Sequence, residues 1–267
     1  MNGATKQQCR SDMAVEFAKS VSGSKSDADT LSVTEVKVDA ALAAKLGRPE
    51  GRYVTVESKY ALCGDRSNYM PLIESIAGAI RSMCVGSKTF LAVGVGNPLL
   101  TADALGSRAV TLLKVNRGSR AVGSKELSAF APSVAGITGI ESFDIVAGVC
   151  SIVKPDCVII IDSLASAAVS RIGTAFQICD SGLTPGSGVG GKNRALNAEN
   201  LKVRRTVSVG VPLVVHAETI IRDALGGKAE NINPQVADLV VTPKDIDMVM
   251  SECAHIIAES INAALSL

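Results

Sequence analysis

The stretch Cys157-Val158-Ile159-Ile160-Ile161-Asp162 limits what this chain can fold into more than any other. Five apolar residues, four of them β-branched, run without alternation and stop at a carboxylate. An unbroken run of that kind predicts a strand covered on both faces, as a central strand of a parallel sheet is. In open α/β sheets, ligands bind beyond the carboxyl ends of the strands. Asp162 is expected at such an end. A carboxylate placed there loses water, so its pKa should rise unless a cation or hydrogen-bond donors offset the loss.

The flanking sequence supplies the elements such a strand needs. Arg52 to Glu57 alternates apolar and polar residues and predicts a strand. Pro71 opens a helix through about Met83, with Leu72, Ile73, Ile76, Ala79 and Ile80 on one side. Thr89 to Val95 reads as a second buried strand, broken at Gly94-Val95-Gly96-Asn97-Pro98. Thr101 is then placed to N-cap a helix over Ala102 to Val115. A short strand at Leu127 to Ala131 and a helix from Ile140 to Val153 follow. After the central run come a short helix near Ala165 to Arg171, a strand from Thr174 to Ile178, and a glycine-dense loop from Cys179 to Asn193. A strand at Val207 to Val211 and a helix from His216 to Leu225 come next. Thr242-Pro243-Lys244-Asp245 resembles a capping box and launches a helix over Ile246 to Leu265. Strands alternating with helices predict an α/β fold, a three-layer sandwich around a mostly parallel sheet. The polar residues 1–20 read as a mobile N-terminal segment and residues 21–267 as a single α/β domain.

Composition narrows the function classes. Hydrophobic residues make up 47% of 267, enough for a sizeable core. Aromatics are only 3%, with no Trp, so the core is aliphatic and base stacking on exposed rings is not expected. Lys plus Arg is 27 and Asp plus Glu is 26, a net charge of +1, which predicts no nucleic-acid partner. No apolar run approaches a membrane span, and Met1 to Arg10 lacks the apolar region of a signal peptide. The seven cysteines are odd in number and none is spaced C-x-x-C, which suits reduced cytoplasmic thiols better than disulfides or a zinc site. No metal and no cofactor is expected.

Asp103 and Asp162 form the leading chemical constellation. Asp103 opens the helix that follows one buried strand, and Asp162 ends another, so both belong to one edge of the sheet. Two neighbouring carboxylates cannot both ionise cheaply, so they share a proton. One can then act as base on a water and the other as acid on a scissile group. The plainer reading is that an acid in a first helical turn favours the macrodipole by about 0.3–1 kcal/mol, or caps the helix. Gly186-Ser187-Gly188-Val189-Gly190-Gly191-Lys192 fits the glycine and lysine spacing of a P-loop, but Asn193 follows where a magnesium-binding hydroxyl is needed. The loop is better read as a substrate clamp or oxyanion donor, with Gly186, Ser187, Gly188 and Gly190 as the substrate-binding residues. His216 is the histidine a nucleophilic triad would have to use, yet no G-x-S-x-G elbow accompanies it.

Several stretches, taken together and in order, resemble the germination proteases of spore-forming bacteria. They are Arg10-Ser11-Asp12-Met13-Ala14-Val15-Glu16, Thr101-Ala102-Asp103-Ala104-Leu105-Gly106, Pro132 to Glu141, Lys154 to Ser166, Cys179 to Gly190, Gly210-Val211-Pro212, Val241 to Lys244 and Ile261 to Leu265. The loop Asn97 to Leu100, the segment between Val115 and Glu126, and His216 depart from that pattern. The resemblance implies a cytoplasmic endopeptidase of the spore core that starts the degradation of small acid-soluble spore proteins. It implies a homotetramer, made as a zymogen that loses a short N-terminal propeptide by autocatalytic cleavage within the first 20 or so residues. It implies an atypical aspartic mechanism on Asp103 and Asp162, on a fold resembling that of hydrogenase maturation proteases. Two other readings stay open from the residues alone. One is a metal-dependent maturation-type protease or amidase on the same fold, and the other is a non-enzymatic nucleotide-binding protein.

Overall fold

The apolar runs and the helical periodicities of the sequence both find their elements. The computed structural model describes residues 11–16, 25–28, 31–46, 48–58, 66–118, 125–186, 193–226 and 232–267. In chain order its first elements are β1 (Lys25–Ala28), β2 (Leu31–Val38), α1 (Ala40–Leu46), β3 (Gly51–Ser58), α2 (Met70–Met83), β4 (Thr89–Gly94), α3 (Leu105–Val110), β5 (Glu126–Phe130) and α4 (Ala135–Thr138). Then follow α5 (Ser142–Val153), β6 (Cys157–Ser166), β7 (Ala175–Cys179), α6 (Ala198–Leu201), β8 (Arg205–His216), α7 (Ala217–Ala224), α8 (Pro234–Ala237), β9 (Val240–Val241) and α9 (Ile246–Leu265).

One nine-stranded sheet runs in the order β1-β2-β3-β7-β8-β6-β4-β5, with β9 attached to β8. Strands β5, β4, β6 and β8 are mutually parallel. They are the strands whose connections contain helices, which parallel neighbours require to cross over. Strands β1, β2, β3 and β7 extend the sheet in antiparallel pairs. The β6 side chains explain the layering. Cys157, Ile159 and Ile161 face the cluster built with α2, α3 and α9, and Val158 and Ile160 face Phe143, Val146 and Cys150 of α5. All five β6 residues are 0% exposed. Burial on both faces is why the run shows no alternation, and each such aliphatic side chain contributes about 2 kcal/mol. The α/β class and the helix-flanked sheet expected from the sequence are therefore present.

Three local expectations fail for identifiable reasons. Asp162 does not end its strand. β8 runs on to His216 and gives β6 a ladder partner for every residue from Asp162, opposite Gly210, to Ser166, opposite Val215. What stops beside Asp162 is β4, whose last residue Gly94 pairs with Ile161. The helix expected over Ala102 to Val115 is a 3₁₀ turn at Thr101–Asp103 followed by the short α3, and no side chain caps either one. The reason is contact: a Cβ on Gly106 would lie 2.4 Å from the carbonyl oxygens of Ile161 and Val95, so the helix starts where its backbone meets the sheet. The helix expected near Ala165 to Arg171 is the end of β6 and a 3₁₀ turn at Val169–Arg171. β2 has no counterpart in the sequence expectations. Its buried Val36 and Val38 are preceded by Glu35, which breaks the alternation and pairs at 2.6 Å with Arg52 on β3. α9 covers the expected range, although its N-cap Asp245 makes no side-chain cap.

Candidate active site

Glycines bring the two acids together. After β4, the Val95 amide still donates to the Ile161 carbonyl at 2.9 Å, so the chain follows β6 for one more step. Gly96 then turns it with φ +106°, in the left-handed region that side chains avoid. A Cβ there would sit 2.1 Å from the Asp103 carbonyl oxygen. Gly94 is closed on similarly by Gly106, whose carbonyl oxygen would be 2.0 Å from an added Cβ. The loop from Gly96 to Asp103 thus folds tightly over the end of β4. Within it, the Asn97 amide donates to Asp103 Oδ2 at 2.7 Å, and the Asp103 amide donates to the Leu100 carbonyl at 2.8 Å.

Asp162 is 4% exposed. The Ser163 amide donates to its Oδ1 at 2.8 Å. Burial pushes its pKa well above the usual carboxylate range, the negative charges of Asp103 and Asp12 push it further, and the Ser163 amide opposes them. Burial also raises Asp103, against the hydrogen bond from Asn97. Both carboxylates line one cavity of roughly 1050 Å³, open to solvent beside the end of β4. Both acids therefore resist ionisation more than an exposed carboxylate does. Such a pair can take a proton from water with one member and give one with the other.

Asp12 is a further acid of the cavity wall, and the sequence reading did not single it out as a site residue. It is buried and forms a reciprocal bracket with β6. The Asp12 amide donates to the Ala165 carbonyl at 2.8 Å, and the Ala165 amide donates to Asp12 Oδ2 at 2.9 Å. Arg48 Nη1 meets Asp12 Oδ1 at 3.3 Å. Gln177 of β7 grips the same segment as a strand would: its Nε2 donates to the Asp12 carbonyl at 3.0 Å, and its Oε1 accepts from the Ala14 amide at 2.7 Å. The available signal was the charged cluster Arg10-Ser11-Asp12 followed by apolar Met13-Ala14-Val15, a polar stretch attached to residues that have to be buried. Tyr53 of β3 also lines the cavity. Its hydroxyl donates to the Pro49 carbonyl and accepts from Ser181 Oγ, both at 2.9 Å, and burial beside Cys179 pushes its pKa up to about 12.

The glycine loop reaches the same cavity. Gly182, with φ +76°, packs so closely on the Leu196 carbonyl that a Cβ would be 2.2 Å from it. Leu183 and Leu196 exchange backbone hydrogen bonds of 3.1 and 2.8 Å. From there Thr184, Pro185 and Gly186 line the cavity. Ser187, Gly188 and Gly190, and the rest of the P-loop-like stretch, lie outside the described residues. His216, the last residue of β8, and His255 in α9 do not line the cavity. Among the described residues, no group of three or more His, Cys, Asp or Glu side chains is spaced to hold a metal ion.

Two buried acids lining one open cavity of an α/β sheet flanked by helices are the kind of groups that acid–base enzymes use. Comparison with known proteins gives the family. The family model described as germination protease matches residues 2–226. A germination protease of Caldanaerobacter subterraneus subsp. tengcongensis is 35% identical over 88% of this chain and 85% of its own length. That of Bacillus subtilis is 40% identical over 67% of this chain and 52% of its own length. The chain belongs to the germination protease family and is a peptidase. Among solved structures, the NiFe hydrogenase maturation protease HycI from Thermococcus kodakarensis aligns with 68% of this chain and 98% of its own, with a TM-score of 0.41 and 19% identity.

Proposed function

We propose that the protein is an endopeptidase of spore germination that makes the first cuts in small acid-soluble spore proteins, with Asp103 and Asp162 as its catalytic acids. The observation that carries this reading is the placement of both carboxylates on one cavity, with Asp162 raised by burial and by the charge of Asp103. Asp162, enclosed and beside Asp103, keeps the shared proton and serves as the general acid. Asp103, one oxygen of which is held by the Asn97 amide, serves as the general base. Asp103 takes a proton from water as the water oxygen adds to the peptide carbonyl carbon. Asp162 gives its proton to the carbonyl oxygen. Collapse of the tetrahedral adduct then passes a proton to the leaving nitrogen and breaks the C–N bond. The loop from Gly182 to Gly191 holds the extended substrate, with Gly186, Ser187, Gly188 and Gly190 supplying backbone donors.

The reading includes a zymogen that cuts itself somewhere within its first 20 or so residues, assembly as a homotetramer, and action in the cytoplasm of the spore core. The test is cleavage of a purified spore protein by wild type, Asp103→Asn and Asp162→Asn. Each variant should lose activity by about three orders of magnitude while its circular dichroism spectrum stays unchanged. Near-wild-type turnover by either variant would remove that residue from the mechanism. Chelation by EDTA should leave wild-type cleavage intact, and loss restored by a divalent ion would move the protein to the metal-dependent reading. N-terminal sequencing of aged protein reports on the trimming, and light scattering on the tetramer.

A further inference from the structure

At the edge of the sheet away from the acids, two thiols that the cleft does not use meet in the core. Cys84 is the C-cap of α2, and Cys157 is the first residue of β6. Their sulfurs are 3.7 Å apart, across 73 residues of sequence. Both backbones are fixed. The Cys84 amide donates to the Ile80 and Arg81 carbonyls at 3.0 and 3.3 Å, and its carbonyl accepts from the Ser87 amide at 3.0 Å. Cys157 is laddered to Phe90 on one side and Arg205 on the other. A disulfide has an S–S length of about 2.05 Å, so side-chain rotation has little distance left to close. Cys157 is 0% exposed and Cys84 6%, and Cys84 is followed directly in the chain by the exposed Val85 and Gly86. Only a small reagent reaches sulfurs so enclosed.

We propose that Cys84 and Cys157 form an oxidation site, at which a hydroperoxide joins them into a disulfide tying the end of α2 to the start of β6. Cys84, the less enclosed of the two, is the attacking sulfur. The hydrogen bond with Cys157, then the nearby charges of Lys125 and Arg205, lower its pKa against the effect of burial. Cys157 is the resolving thiol, raised by its bond to Cys84 and by burial. The Cys84 thiolate attacks one peroxide oxygen, the O–O bond breaks, and the departing oxygen leaves as water after taking a proton. Cys84 is now a sulfenic acid. The Cys157 sulfur attacks the Cys84 sulfur, the S–S bond forms, the S–O bond breaks, and the hydroxyl leaves as water with the Cys157 proton. Two thiols and one hydrogen peroxide give one disulfide and two waters, with the two electrons passing from sulfur to peroxide.

The full chain, purified reduced, is treated with one equivalent of hydrogen peroxide, alkylated and digested without reductant. Mass spectrometry should find the Cys84 and Cys157 peptides linked and two hydrogen atoms lighter than their sum. The thermal midpoint should rise on the order of 5–10 °C and fall back with dithiothreitol. Cys84→Ser and Cys84→Ala should each abolish both effects while melting close to reduced wild type. Absence of the linked peptide, or a midpoint rise that survives either substitution, overturns the proposal.

Discussion

At the level of single residues, the informative quantity is what Asp162 costs. Its native pKa is raised by burial first and by two neighbouring acids second. From the ordinary carboxylate value of about 4 up to that raised value, the native state holds more protons than the unfolded chain. Stability is therefore fully present at acid pH and declines as pH rises through this window. Asp162→Asn removes the penalty with almost no change in shape. The variant should melt above wild type near neutral pH, and its advantage should shrink as pH falls toward 4; thermal scans at several pH values measure both. A variant that is inactive, folded and more stable is what a burdened catalytic group predicts. Equal melting at all pH values would mean that Asp162 carries no such burden.

At the level of elements, the site depends on backbone contacts that leave no room for a side chain. Read as a sequence, Gly94-Val95-Gly96 is a weak fragment of a dinucleotide fingerprint. In the fold, these glycines and Gly106 let α3 touch β4 and β6, and that contact carries Asp103 to the Asp162 edge. A Cβ on Gly106 would fall 2.4 Å from two carbonyl oxygens and 2.7 Å from the Val95 nitrogen, all of them backbone atoms. Nothing there can rotate away. Gly106→Ala should cost more than about 2 kcal/mol in urea unfolding and should lower kcat more than KM, because it displaces an acid rather than a binding surface. Wild-type kcat in that variant would mean that α3 does not position Asp103. For the same reason the helix expected from Ala102 begins only at Leu105. Helical periodicity continues past Val110, but it is the close contact at Gly106 that sets where α3 begins.

At the level of the whole molecule, the segment Ser11–Glu16 is fastened to the far end of the chain's central strand. Glu16 accepts from Ser166 Oγ at 2.6 Å, from the Ala167 amide at 2.7 Å and from Arg171 at 3.1 Å, and Ser11 Oγ also donates to it. Met13 packs against Leu164 and Ala175. The Glu16 side chain is 6% exposed, so truncating it leaves donors buried; Arg171 keeps its 2.8 Å pair with Glu57. Glu16→Ala should therefore cost about 2–3 kcal/mol and speed limited proteolysis near the N-terminus. Unchanged proteolysis would show that the apolar contacts of Met13 hold the segment without the carboxylate.

By itself, the sequence determined the α/β class and the central strand, and it offered Asp103 and Asp162 as candidate acids. Those follow from local chemistry: an unbroken β-branched run has to be covered on both faces, and a carboxylate at its end is conspicuous. In the antiparallel half of the sheet β3 and β7 were legible but β2 was not, because it carries Glu35 against Arg52 where an apolar residue would have continued the alternation that marks a strand. Asp12 was not legible either. Its place beside Asp162 comes from hydrogen bonds to Ala165 and Gln177, more than 150 residues away in the chain. Only the folded structure decides which distant groups share one cavity, because that depends on which backbones can approach closely enough, and glycine spacing sets that distance without announcing its partner.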